Sequence, residues 1–417
     1  MSAIAIALAE MGHHVSGSDI REKPILDRAA RRRRGGPHVG HQRAHVARTR
    51  CHHLEHRRSL SATSSATRPA SAVRQSLHRS GMLASICAQA KSLAVAGTHG
   101  KTTTTSMLML ILAEAGLRPS FVIGGDVTDI GTGAQWTGGS GSWSRPTRAT
   151  APTSSCRLHG TILTNVEVDH LDHYGSFAGI VDGFDRYLAQ IAGPEGRVPR
   201  RPGVRSTRAR HGAITYGTSP RRHGRPSRRP HTRVGARSRS RRAARRLLGT
   251  VDLPLRGIHN VRNATGAIAL AMSVGVPFEV AASALAKFGG VARRFDIRGV
   301  DDGATLVDDY GTPSFRDRGG ARRRPLERRR LARVVVVFQP NRFNRIAVMW
   351  QDYADAFVDA DVVVLTDIYA ERHHADPGHH GQAVVNAVLD AHPDTRLVWL
   401  PEAPRPDRLR RRRTPRG

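Results

Sequence analysis

The sequence predicts an α/β protein of two or three domains, and three stretches carry that expectation. Residues 92–112 read SLAVAGTHGKTTTTSMLMLIL: a short apolar strand at 93–96, a turn bracketed by Gly97 and Gly100, and from Thr102 an apolar run of helical length. Residues 163–174, LTNVEVDHLDHY, carry an apolar strand into alternating acids, histidines and an asparagine. Towards the C-terminus, 334–340 and 362–369 are buried-strand runs on either side of a predicted helix over 346–358. That strand–helix–strand layout implies a small parallel sheet.

The first stretch has the layout of a phosphate-binding loop. Backbone amides can turn towards an anion only where no side chain obstructs them, which is the use of Gly97 and Gly100, and the positive end of the following helix adds to the attraction. Lys101 supplies a point charge for outer phosphates. Thr102 stands where a loop hydroxyl would ligand Mg²⁺, although the step from Gly97 to Gly100 is three positions where the P-loop has five. A Gly-Lys-Thr string alone also fits a surface turn; strand, loop and helix in this order favour nucleotide binding.

Charge points elsewhere at first sight. In 417 residues, 66 Lys+Arg against 34 Asp+Glu give +32 and a pI near 11.6, a balance that suits a nucleic acid or an anionic membrane. The distribution argues against such a partner, because arginine is crowded into 29–58, 195–246, 315–333 and 404–416. These tracts are poor in aromatics and lack helical or strand periodicity. Cys51, Cys87 and Cys156 have no paired spacing, so neither a disulfide framework nor a zinc site is indicated, and a reducing cytoplasm fits. The apolar run at 4–9 is too short for a membrane span and has no basic leader.

In chain order, residues 2–19 predict a helix ending at Gly12, a strand at 14–16 and a closing Asp19, the second half of a dinucleotide-type βαβ unit. No strand or glycine-rich turn precedes Met1, so either the chain begins late or the likeness is accidental. His13 and His14 read as turn residues. The pattern dissolves over 29–79 and returns at 81–90. A strand at 121–123 leads into a Gly/Ser-rich passage that reaches Ser142.

The acids and histidines of 163–174 fall at the carboxyl end of a strand, where open α/β sheets bind ligands. Mg²⁺ takes oxygen ligands and keeps waters, so a few such groups near Thr102 suffice; a solvated loop with helix-capping acids is the alternative. A helix is expected over 177–192. Residues 196–246 are arginine and proline with one strand-like interlude at 213–217. Asn260 and Asn263 lie one turn apart at the start of an apolar helix, placed to offer amides to a base or ribose, or to cap the helix. The arginines of 290–296 suit phosphates and carboxylates, or a solvated face.

Taken together, GTHGKTTTT at 97–105, LTNVEVDHLDHY at 163–174, GIHNVRNATGA at 257–267, GVARRFD at 290–296, DDYG at 308–311 and FQPNRFNR at 338–345 resemble the Mur ligase family. The matching segments cover roughly half the chain, in the family's order. The resemblance implies three domains: a truncated Rossmann-like UDP-binding domain at 1–88, a central P-loop ATPase at 89–290 and a Rossmann-like C-terminal domain at 291–417 that brings the amino acid. It implies a cytoplasmic ligase in peptidoglycan precursor synthesis with ATP and Mg²⁺ as cofactors and small-molecule partners, UDP-N-acetylmuramate and L-alanine, with no nucleic acid and no membrane insertion. In that reaction ATP phosphorylates the muramoyl carboxylate, and the amine of L-alanine attacks the acyl phosphate.

Residue by residue, the resemblance has Gly97, Thr98, His99, Gly100, Lys101, Thr102 and Thr103 cradle ATP, with Thr102 on Mg²⁺ and His170 on a second Mg²⁺. By the same resemblance Lys101 and His170 are the catalytic residues. Asn260 and Asn263 border the nucleotide, Arg294 and Asp309 reach ATP across a domain cleft, and Asn165, Arg342 and Arg345 hold the substrates. Three departures stand out. The family's ADESDGSF-type acidic motif is replaced by 142–156, SWSRPTRATAPTSSC; Thr312 and Pro313 follow DDYG in place of His-His-Pro; and Asn341 stands where the family has histidine. The amino terminus also lacks the family's glycine-rich uridine-nucleotide turn.

Several readings follow: an active alanine ligase, a relative that adds a peptide, a catalytically impaired product of the same family, and, more remotely, a basic nucleic-acid-binding protein. Arginine-rich tracts that start and stop abruptly inside an enzyme are what G+C-rich DNA yields out of frame. Back-translated with G- or C-ending codons and read two bases later, 142–156 can give LVAADESDGTDFLV, which contains the missing motif. Likewise 371–382, read one base later, can give NATTPIPGITG, similar to the family's segment. The arginine tracts 29–58, 196–246 and 315–330 are too charged to offset chain entropy with a core of their own.

Overall fold

The computed structural model describes residues 2–19, 37–39, 51–54, 75–127, 132–138, 141–144, 158–168, 174–189, 191, 214, 216, 231–236, 246–255, 257–291, 296–309, 333–341, 343–369 and 381–401. Two compact units make up the chain, Met1–Tyr310 and Gly311–Gly417.

The first unit opens with helix α1 (Ser2–Glu10), which stops short of Gly12 at φ 96°. Strand β1 (Gly17–Asp19) pairs in parallel with β2 (Pro37–Val39), and β3 (Cys51–Leu54) with β4 (Gln75–His78). Two expectations are corrected here. The strand after α1 begins at Gly17 and not at 14, and 29–79 contains paired strands where the sequence pattern is absent. Ladder bonds are made by main-chain groups, which every residue but proline carries in full, so a strand can pair without an alternating side-chain signal.

Helix α2 (Arg79–Cys87) leads to β5 (Lys91–Ala96), α3 (Lys101–Glu114) and β6 (Ser120–Val127). The Gly/Ser-rich passage holds β7 (Thr132–Gln135) and β8 (Gly141–Ser144); β9 (Leu158–Leu163) and α4 (Phe177–Ala189) follow. The sheet order is β7-β6-β8-β5-β9, parallel throughout except for β7, which runs antiparallel to β6. Strand β8 thus lies inside the sheet, held by neighbours on both sides despite its weak strand propensity.

The antiparallel pair β10 (His231–Ala236) and β11 (Arg246–Asp252) precedes α5 (Ile258–Ser273) and α6 (Phe278–Ala286). Residues 214 and 216 of the strand-like interlude lie outside any strand. One core joins β5, α3, β9, β11, α5 and α6 through Leu93, Met107, Ile111, Ile162, Ile268 and Phe288. A second, through Ala96, Leu163, Phe184 and Tyr187, seals α4 against the opposite sheet face. The antiparallel hairpin β12 (Asp296–Asp301) and β13 (Ala304–Asp308) closes the described part of this unit.

The second unit is a parallel sheet, β14 (Val335–Phe338), β15 (Val362–Thr366) and β16 (Leu397–Leu400), in that order, with α7 (Phe343–Met349) and α8 (Gln382–Ala391). The helix expected over 346–358 starts earlier and tightens into a 3₁₀ turn at Trp350–Tyr353. Phe343, Ile346, Tyr353 and Phe357 all stay inside through this change, because steps of three and four residues keep one face inward at either pitch.

Phe288 is fully buried where α6 meets the large core, and its removal leaves a cavity. Phe288→Ala should lower stability by about 3–5 kcal/mol, read as a shifted urea midpoint. Val300→Ala, on a side chain 69% exposed, should change it by less than about 0.5 kcal/mol.

Candidate functional site

Pairing between β5 and β9 reaches Ala96↔Leu163, so the two strands end side by side and the loop after β5 emerges against the segment after β9. This contact dictates the first glycine. Gly97 has φ 130°, and a Cβ there would stand 2.1 Å from Thr164 Oγ1 and 2.9 Å from the Asn165 carbonyl oxygen. Gly100, at φ 78° and ψ −3°, is the last residue before α3; a Cβ there would meet the Asn263 side chain at 2.9 Å. Two different neighbours therefore exclude side chains at the two ends of the turn.

Residues 164–167 brace the loop. Asn165 accepts the Thr98 N–H at its carbonyl (3.1 Å) and the His99 N–H at its Oδ1 (2.8 Å), and its Nδ2 donates to the His99 carbonyl (3.2 Å). The Thr164 hydroxyl donates to the same carbonyl at 2.6 Å. Thr98 Oγ1 accepts the Glu167 N–H at 3.0 Å and donates to the Glu167 carbonyl at 3.2 Å. His99 Nε2 lies 3.8 Å from Glu167 Oε2, both side chains largely shielded from solvent.

With the Thr98 and His99 amides engaged by Asn165, the amides that can meet a phosphate are those from Gly100 onward. Gly100, Thr102 and Thr103 belong to the helix's opening turn, whose N–H groups have no acceptor within the helix. Lys101 Nζ donates to the Gly97 carbonyl and, at 2.7 Å, to the Thr98 carbonyl, which holds its charge inside the turn.

The threonine run divides by position. Thr104, Thr105 and Ser106 turn their hydroxyls back to the carbonyls of Gly100, Lys101 and Thr102 at 2.8, 2.8 and 3.0 Å. Thr102 and Thr103, in the opening turn, have no helical carbonyl four residues behind them, so that internal bond is closed to their hydroxyls. An oxygen donor at Thr102 fits a hard cation bound chiefly by phosphates and water. Among the described residues no group of three or more His, Cys, Asp or Glu gathers to hold a metal by itself.

Support comes from behind. Tyr216 donates its hydroxyl to the Leu163 carbonyl at 3.0 Å, at the very end of β9. Its ring lies against Gly266 of α5, where a Cβ would come within 2.8 Å. Asn263, one turn into α5, is buried over Gly100, while Asn260 is half-buried in the first turn. Just before α4, burial pushes the Tyr174 phenol up to about 12.

Of the other predicted site residues, Asp309 is exposed just after β13, and Arg345 is half-buried on α7 of the second unit. His170, Arg294 and Arg342 lie outside the described residues, as does the replaced acidic segment from 145 on. Thr164 and Tyr216 were not singled out from the sequence. A threonine just past an apolar strand and a lone tyrosine in an arginine-rich tract carry no periodic signal.

The profile described as Mur ligase family, catalytic domain, matches residues 1–94. The chain is 34% identical to the UDP-N-acetylmuramate--L-alanine ligase of Pelobacter propionicus, over 96% of this chain and 87% of that protein. It is 36% identical to the enzyme of the same name from Anaeromyxobacter sp., over 98% and 90%. A crystal structure of UDP-N-acetylmuramate-alanine ligase from Thermotoga maritima superposes with a TM-score of 0.69 at 22% identity, covering 96% of this chain and 87% of that one.

Gly97→Ala should abolish ATP binding while the helical content stays unchanged, because the added methyl pushes the loop off Thr164. Lys101→Ala should weaken ATP roughly 10- to 100-fold, the equivalent of one charge-assisted hydrogen bond. Calorimetric titration with ATP checks both, and an unaltered affinity in Lys101→Ala would remove the lysine from the phosphate site.

Proposed function

The chain belongs to the Mur ligase family, and from that membership we propose that it ligates L-alanine to UDP-N-acetylmuramate with ATP, through an acyl phosphate, in peptidoglycan precursor synthesis. The observation that carries the nucleotide half is the turn between β5 and α3, which brings Lys101, the opening amides of α3 and the Thr102 hydroxyl to one mouth. The alanine half is supported by likeness to two alanine ligases over 87% and 90% of their lengths.

Phosphoryl transfer to a carboxylate brings anions together, so the protein's task is positioning and charge compensation. In this reading Gly100, Thr102 and Thr103 hold the phosphates from the helix end, Lys101 neutralises the outer ones, and Asn260 and Asn263 border the nucleoside. Thr102, with phosphate oxygens and water, would hold one Mg²⁺ and His170 a second, ions whose charge would screen the transferred group. Arg294 and Asp309 are assigned to ATP, and Arg342 and Arg345 to the substrates' carboxylates. The amine of L-alanine then attacks the acyl carbon, its proton is lost and inorganic phosphate leaves.

The proposal divides the chain functionally into UDP-binding (1–88), ATP-binding (89–290) and amino-acid (291–417) parts, and places the reaction in the cytoplasm. No described helix is long and apolar enough to cross a membrane.

One observation favours a second reading, a catalytically impaired product. Residues 142–162 contain no Asp or Glu, so that stretch has no carboxylate to share the cation with Thr102. The chain and a version carrying LVAADESDGTDFLV at 142–156, supplied with ATP, Mg²⁺, UDP-N-acetylmuramate and L-alanine, can be compared by phosphate release. The corrected version should turn over at least tenfold faster. Equal turnover would refute impairment at this segment, and substrate-dependent release by neither would count against the ligase assignment.

A further inference from the structure

Asn165 stands out because its polar groups face the protein and not the open mouth of the site. Its side-chain amide grips both main-chain groups of His99: Oδ1 accepts the N–H at 2.8 Å and Nδ2 donates to the carbonyl at 3.2 Å. Its own carbonyl takes the Thr98 N–H at 3.1 Å. Asn165 is 6% exposed, and the position a Cβ would take on Gly97 lies 3.0 Å from its main-chain nitrogen.

We propose that Asn165 is a positioning residue for the phosphate loop, a two-sided clasp on the His99 peptide groups, and that it contacts neither UDP-N-acetylmuramate nor L-alanine. The inference rests on the nucleotide reading of the loop.

The chemistry requires an amide. To grip an N–H and a C=O of one residue, a side chain must present an acceptor and a donor side by side, as the planar amide of Asn or Gln does. Gln is one methylene longer and cannot make the same pair from this backbone position. An aspartate keeps the acceptor but opposes the His99 carbonyl with a second oxygen and puts a negative charge beside the phosphates.

The clasp explains how a turn of four residues keeps a shape that no local hydrogen-bond ladder enforces. Holding the Thr98 and His99 amides inward aims the chain at Gly100, whose left-handed backbone then starts α3 with its amides outward. The Thr164 hydroxyl on the same His99 carbonyl, and Thr98 against Glu167, extend the brace on both sides. Loosening the clasp should therefore act through the loop on outer phosphates and leave adenosine contacts alone.

The test compares Asn165→Ala, Asn165→Asp and the unaltered full chain, titrated calorimetrically with ATP and AMP, with amide exchange at His99 read by NMR. Expected are at least a tenfold loss of ATP affinity in both variants, larger in Asn165→Asp, AMP affinity changed less than threefold, and faster His99 exchange. Equal weakening of ATP and AMP would show a general structural role, and unchanged ATP affinity with unchanged exchange would show no role; either overturns the proposal. A direct substrate contact would appear as weaker UDP-N-acetylmuramate binding at unchanged His99 exchange, and overturns it too. If the unaltered chain binds neither nucleotide, the reading of the site fails, and the clasp is then judged by His99 exchange alone.

Discussion

The parallel pairing of β5 with β9, carried to the last residue of each strand, is the contact on which the site depends. It sets Gly97 against Thr164 with no space for a side chain, and it supplies residues 164–167 as a wall along the turn. A slip of register by one residue would turn Thr164 and Asn165 to opposite faces and leave the turn unbraced. Tyr216 closes the arrangement from behind by bonding the carbonyl of Leu163, so the strand end is held from two directions.

Rigidity reaches the loop from the other side through α3. Ten of its fourteen residues are buried, from Thr102 to Leu112, so the helix runs through the core and is not an amphipathic cover over it. Its hydroxyls would be costly in such surroundings, and three of them solve this by bonding carbonyls one turn back. Thr102 and Thr103 lack that option, because no helical carbonyl lies four residues behind them. The amphipathic helices α5 and α6 pack on α3, and Asn263 thereby comes to rest on Gly100.

Charge placement follows from this frame. The chain carries +32, and at the start of α3 Lys101 is a charge held in place by loop carbonyls. For phosphoryl transfer one placed charge in a desolvated turn outweighs many on solvated tracts, because screening removes the latter within about 10 Å. The same reasoning bears on 142–162, which contain no Asp or Glu: charge on distant tracts does not stand in for a carboxylate placed there.

By itself the sequence determined the α/β class, the strand–turn–helix within 92–112, the parallel sheet of the second unit and the family, since apolar periodicity and glycine placement act over a few neighbouring residues. Tertiary structure decided the rest. Strands β2, β3 and β10 arise in tracts with no side-chain pattern, and β8 in a Gly/Ser-rich passage, because main-chain pairing is supplied by a neighbouring strand outside the local sequence pattern. It also separated the residues of GTHGKTT by task. Thr98 and His99 turn inward and Gly100, Thr102 and Thr103 face the mouth, since which amide is engaged depends on Asn165, 66 residues beyond His99. A contact across that separation exists only once β9 lies beside β5, and no local spacing encodes it.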